Sequence, residues 1–133
     1  MEILLRNLQK KIPIPASKIL KAAKAAFRKI GWTPLSLSIV FAGGGRMRRL
    51  NKQYLNHDYV TDVLAFDLGG HAGEVIVCPS MASSNAKIYG VCIEDEIVLY
   101  VVHGILHLAG YDDHKPQDIK QMRLMEQRVL RAF

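Results

Sequence analysis

With 133 residues, half of them hydrophobic and 23% charged, the chain has the size and composition of one globular domain with a real core, spanning 1–133. Its longest apolar stretch, Ile97 to Leu108, is interrupted by Tyr100, His103, Gly104 and His107 and falls short of the roughly 20 apolar residues that cross a bilayer, which argues against a membrane protein. A formal net charge of +6 favours polyanionic partners, and the opening MEILLRNLQKK reverses the charge order of a secretory signal, which points to the cytoplasm.

Met1 to Leu8 reads as an opening strand, stopped by Pro13 and Pro15. From Ser17 to Ile30, Ile19, Leu20, Ala23, Ala26, Phe27 and Ile30 recur at helical spacing, with Lys18, Lys21, Lys24, Arg28 and Lys29 on the other positions. Leu35 to Phe41 alternates with the period of two expected for a strand. Gly43, Gly44 and Gly45 then turn the chain into a short helix carrying Arg46, Arg48, Arg49 and Lys52. Val63 to Leu68 and Glu74 to Cys78 are two more strands, joined through the turn from Gly69 to Gly73 as an antiparallel hairpin. Pro79 opens a helix of about ten residues ending near Gly90.

Ile93 to Ala109 is apolar nearly all round, as a central buried helix should be, and Glu94, Asp95 and Glu96 suit its positive N-terminal end. Gly110 ends it, and Pro116 starts a last amphipathic helix, Gln117 to Leu130, with Ile119, Met122, Met125, Val129 and Leu130 on its apolar side. The expected fold is α+β: a small mixed sheet of about four strands packed with about five helices around a central, metal-binding one. Cys78 and Cys92 stand far apart in no metal-like spacing, and two reduced, buried thiols are expected rather than a disulfide.

His103 and His107 lie four apart on that central helix, so their side chains share a face with Cβ atoms roughly 5–6 Å apart. Left unpaired in an apolar interior, each would cost about 1–3 kcal/mol, which a shared ion removes. After Gly110 the chain returns through Tyr111-Asp112-Asp113-His114, bringing His114 or Asp113 to the side of the pair. Three protein ligands and one open position make a catalytic zinc layout, although nickel, cobalt or copper would bind such nitrogens as well. Zinc lowers the pKa of bound water towards about 7, so hydrolysis is the expected chemistry. A zinc peptidase of the His-Glu-x-x-His kind carries its general base directly after the first histidine; here that residue is Gly104, which cannot move a proton.

The run His103-Gly-x-Leu-His107-Leu-x-Gly110-Tyr111-Asp112, with His114 after it, resembles the signature of the YbeY family of bacterial rRNA maturation factors. Leu50-Asn51-x-x-Tyr54, Asp58-x-x-Thr61-Asp62-Val63-Leu64-x-Phe66 and Gly73-Glu74-Val75-Ile76-Val77 agree with it in the same order. The resemblance implies a single-strand-specific, metal-dependent endoribonuclease in small-subunit (16S) rRNA processing, especially at the 3′ end, and in ribosome quality control. It implies one Zn2+ per chain on His103, His107 and His114. The family places its third histidine six residues after the second; here Asp113 holds that place and His114 the next, so Asp113 is the alternative ligand. Leu55 stands where the family usually has an arginine.

Arg46, Arg48, Arg49 and Lys52 precede the Tyr54 block and are the expected phosphate contacts with single-stranded RNA, at one edge of the metal cleft. Tyr54, His57 and Tyr59 are either base-stacking residues or buried aromatics. Asp62 either orients a metal-bound histidine or caps a turn, and Asp62 and Asp113 are the candidate catalytic carboxylates around a zinc-bound water. The competing function is a non-catalytic ribosome assembly factor, bound to the small subunit, in which zinc only staples the fold.

Overall fold

The computed structural model describes all 133 residues, Met1–Phe133. In chain order the elements are β1 (Glu2–Asn7), α1 (Ala16–Ile30), β2 (Ser36–Phe41), α2 (Gly44–Leu55), β3 (Val63–Gly69), β4 (Ala72–Val77), α3 (Pro79–Tyr89), α4 (Ile93–Leu108) and α5 (Pro116–Leu130). The expected α+β architecture is present, with one four-stranded sheet in the order β1-β2-β4-β3 and five helices. β1, β2 and β4 run parallel, and β3 pairs antiparallel to β4 alone, which makes β3 an open edge.

The β3–β4 hairpin is tighter than the sequence suggested. Gly69 pairs with Ala72, so only Gly70 and His71 turn the chain, at φ 60° and 62°. A two-residue turn with both central residues at positive φ matches the right-handed twist of its strands, and the glycine meets half of that demand without steric cost.

The sheet carries a core on each face. Leu37, Ile39, Phe41, Val75 and Val77 meet α1, α4 and α5 through Ile19, Phe27, Ile97, Val101, Ile105, Met122 and Val129. On the other face Val40, Ile76 and Leu64 pack with Met47 of α2 and with Cys78. Alternation along the strands divides the residues in this way. Both cysteines are free; Cys78 is buried as expected, but Cys92 is exposed, because it lies in the α3–α4 connection, just ahead of the helix that the apolar pattern buries.

Helix α4 comes unusually close to the sheet. A Cβ on Gly104 would lie 2.5 Å from Val75 Cγ1 and 3.1 Å from Val63 Cγ2. Glycine inside a helix costs about 1 kcal/mol relative to alanine, whereas forcing a methyl into a filled core costs roughly 1–3 kcal/mol. Packing therefore decides for glycine, and the close approach fixes the height of His103 and His107 above β3 and β4.

Candidate metal centre

His103 and His107 point from adjacent turns of α4 to one spot, with their rings edge to face and centroids 4.7 Å apart. Their Nε2 atoms are 3.1 Å apart. Asp113, from the turn after α4, brings Oδ2 to 3.6 Å from His103 Nε2 and 3.4 Å from His107 Nε2. These three side chains form one cluster whose ligand atoms lie within 4.8 Å of one another.

The spacing fits a small divalent ion. Bonds of about 2.0–2.1 Å in a tetrahedron put ligand atoms about 3.3 Å apart, close to all three separations. The imidazole chemistry agrees with that geometry. His103 Nδ1 is 3.3 Å from Glu126 Oε1. A carboxylate only accepts, so Nδ1 carries the proton and Nε2 is left with its lone pair. That lone pair faces His107 Nε2, and only a proton or a cation between the two nitrogens relieves the repulsion. Burial opposes a charge on His103, but the hydrogen bond and charge of Glu126, with the charges of Asp62 and Asp113, outweigh it and raise its pKa above the ordinary imidazole value.

Glu126 is the residue that reading the sequence passed over. It is buried on α5, four residues after Met122 and three before Val129, on the apolar stripe of that helix. An acid within an apolar stripe was the available signal, because such a carboxylate requires a partner. Arg123 was also passed over: it lines a cavity of about 210 Å³ together with His103, Asp113 and Glu126, and so puts a cation beside the cluster.

His114 is placed elsewhere. Its side chain is 84% exposed and its Nε2 lies 3.3 Å from Asp112 Oδ1, in a second, wholly exposed cluster of Asp112, Asp113 and His114. Asp62 accepts the Val63 N–H (2.8 Å) and the Thr61 hydroxyl (3.3 Å) through Oδ1, which caps the start of β3, and its charge still reaches His103. Of the two roles weighed for it, its hydrogen bonds show the cap.

The four basic residues of α2 are all exposed. Arg48 Nε is 2.8 Å and Lys52 Nζ 3.9 Å from the Asp58 carboxylate, while Arg46 and Arg49 extend into solvent. The helix ends at Leu55, which lines a cavity with His107, so α2 borders the cluster. Asn51 of α2 is buried and its Nδ2 donates to the Tyr59 carbonyl (3.1 Å), which ties down the segment leading to β3. Tyr54 and Tyr59 are exposed, with Tyr59 stacked on His57 at 5.3 Å.

The family profile described as Endoribonuclease YbeY matches residues 4–133. A protein of Chlorobium phaeovibrioides named Endoribonuclease YbeY is 34% identical over 136 aligned residues, which cover 100% of this chain and 91% of that one. One of the same name from Elusimicrobium minutum is 38% identical over 106 residues, 74% of each chain. Among solved structures, a Thermotoga maritima protein determined in solution matches 96% of this chain and 88% of its own, with a TM-score of 0.64 and 24% identity, a likeness of fold.

Proposed function

Since the chain belongs to the YbeY family of endoribonucleases, we propose that it is a zinc-dependent endoribonuclease that cuts single-stranded RNA, acting on the small ribosomal subunit in 16S rRNA 3′-end maturation and in ribosome quality control, in the cytoplasm. The convergence of His103 Nε2, His107 Nε2 and Asp113 Oδ2 at separations of 3.1–3.6 Å carries this reading. We assign these three as the ligands of one Zn2+ per chain. The arrangement with His114 in place of Asp113, expected from the family signature, requires the exposed turn to rotate and would show as loss of bound zinc in His114→Ala rather than in Asp113→Ala.

When bound, the ion supplies a Lewis acid for the phosphodiester and lowers the pKa of a water in its open position towards about 7. The chain's own residues do the rest. Glu126 holds His103 in the Nδ1–H form and so orients Nε2. Asp62, whose Oδ1 is occupied by the Val63 N–H, is the assigned acceptor for the proton of the attacking water. Arg123 offers a cation for phosphate charge beside His103. Arg46, Arg48, Arg49 and Lys52 contact the RNA backbone without regard to sequence. Gly104, pressed against Val75, leaves no base where a peptidase needs one. No helix is long and apolar enough to cross a membrane.

The test is incubation of metal-replete protein with single-stranded RNA, beside chelated protein and the His107→Ala variant. Cleavage is expected only in the first tube. Normal cleavage in chelator contradicts the mechanism, and intact RNA in every tube despite one bound zinc per chain favours the non-catalytic assembly factor.

A further inference from the structure

Next to the three-donor cluster lies an apolar cavity of about 470 Å³. It is lined by Leu55 at the end of α2, by β3 from Val63 to Asp67, and by His107 and Leu108 of α4. Phe66 and Leu64 belong to the core under α2, whereas Val63 and Leu108 pack with the core under α4. The cavity therefore wraps around the open edge of the sheet, where β3 has no further strand.

Its chemistry selects for a flat, uncharged group. The one carboxylate among the lining side chains is Asp67, and no Lys or Arg lines it. A phosphate there would lose hydration and meet a negative charge. Phe66 offers an aromatic surface, and the exposed Tyr54 packs beside it with ring centroids 5.2 Å apart. The unpaired edge of β3 supplies backbone donors and acceptors that a base edge can use. Outside the cavity Arg48, Lys52 and Leu55, spaced at i, i+4 and i+7, share one face of α2, and the two cations, sharing the single Asp58 carboxylate, leave that ridge with one net positive charge.

We propose, on the basis of the ribonuclease reading above, that this cavity receives one unpaired nucleobase of the bound strand, stacked against Phe66 and Leu55, while the neighbouring phosphodiester lies at His103, His107 and Asp113. His107 belongs to both places, so base and scissile phosphate are adjacent units of one strand. Leu55 is then a base-contacting residue, a role that an arginine at the same position would fill with charge instead. The competing occupant is an extended peptide added to the edge of β3; the net charge of +6 and the α2 ridge favour the polyanion.

The experiment is a fluorescence titration of zinc-loaded protein with a set of single-stranded RNA hexamers, each carrying one abasic nucleotide, with RNA integrity checked on a gel. One abasic position is expected to weaken binding about 5- to 150-fold, the range of a single base–aromatic stack, with the others nearly neutral. In Leu55→Glu, at an exposed position that tolerates change, that position-specific loss should disappear and all hexamers should bind as the worst one does to wild type. Equal effects at every position, or a penalty unchanged by Leu55→Glu, overturn the proposal. So does a case in which an uncharged strand-forming peptide binds the cavity and RNA shows no base dependence. RNA that is cleaved yet shows uniform abasic effects sinks the cavity assignment alone; base-dependent binding without cleavage sinks the ribonuclease reading alone.

Discussion

His103 and His107 ride on α4, whose buried side is pressed on β3 and β4 through Gly104, whereas Asp113 and His114 stand in a turn braced by a single side chain. Asp112 Oδ1 accepts the Asp113 N–H at 2.8 Å and faces His114 Nε2 at 3.3 Å. The first pair is held by packing and by buried Glu126; the second depends on where an exposed loop directs each side chain. Asp113 rather than His114 faces the imidazoles, although the signature suggests His114.

The largest effect separating the two halves is expected at Glu126. Glu126→Leu should lower zinc affinity about 10- to 100-fold in competition with a chelating dye, because losing such a partner frees the ring that it orients. Glu126→Gln, which keeps an accepting oxygen, should lose far less. Equal loss in both variants would mean that charge rather than orientation matters.

Gly104→Ala probes the same half through packing. The added methyl should destabilise the protein by up to about 2 kcal/mol by chemical denaturation, the overpacking cost less the helical gain. If stability rises instead, as it would at an open helix position, the close approach of α4 to Val75 is not constraining the site.

A smaller effect concerns pH. His103 has a raised pKa in the folded, metal-free protein, so its protonated form adds stability at low pH that is lost as pH rises through that folded value. Metal needs the unprotonated ring. Zinc affinity should therefore level off above the raised pKa, halve at it, and fall by up to about tenfold per unit below it. In Glu126→Gln the bend should move to lower pH; a bend that stays put would assign it to another group.

Much of this was legible in local pattern. The i, i+4 histidines, the glycine at 104 and the period-two strands are properties of single segments, and they led to the four-stranded α+β fold and to the paired imidazoles. Glu126 was missed because its partner is 23 residues away and depends on how α5 docks. Cys92 was expected to be buried like Cys78, yet it belongs to the exposed turn before α4. Which of Asp113 and His114 faces the imidazoles was not legible, since it rests on backbone direction in a solvent-exposed turn.

The central claim is that His103, His107 and Asp113 form the metal centre that cuts RNA. Its most direct test is bound zinc per chain, measured alongside cleavage of single-stranded RNA, in Asp113→Ala and His114→Ala. Asp113→Ala should lose both, and His114→Ala should retain one zinc and its cleavage. The reverse pattern, or cleavage that survives in metal-free Asp113→Ala, would contradict it.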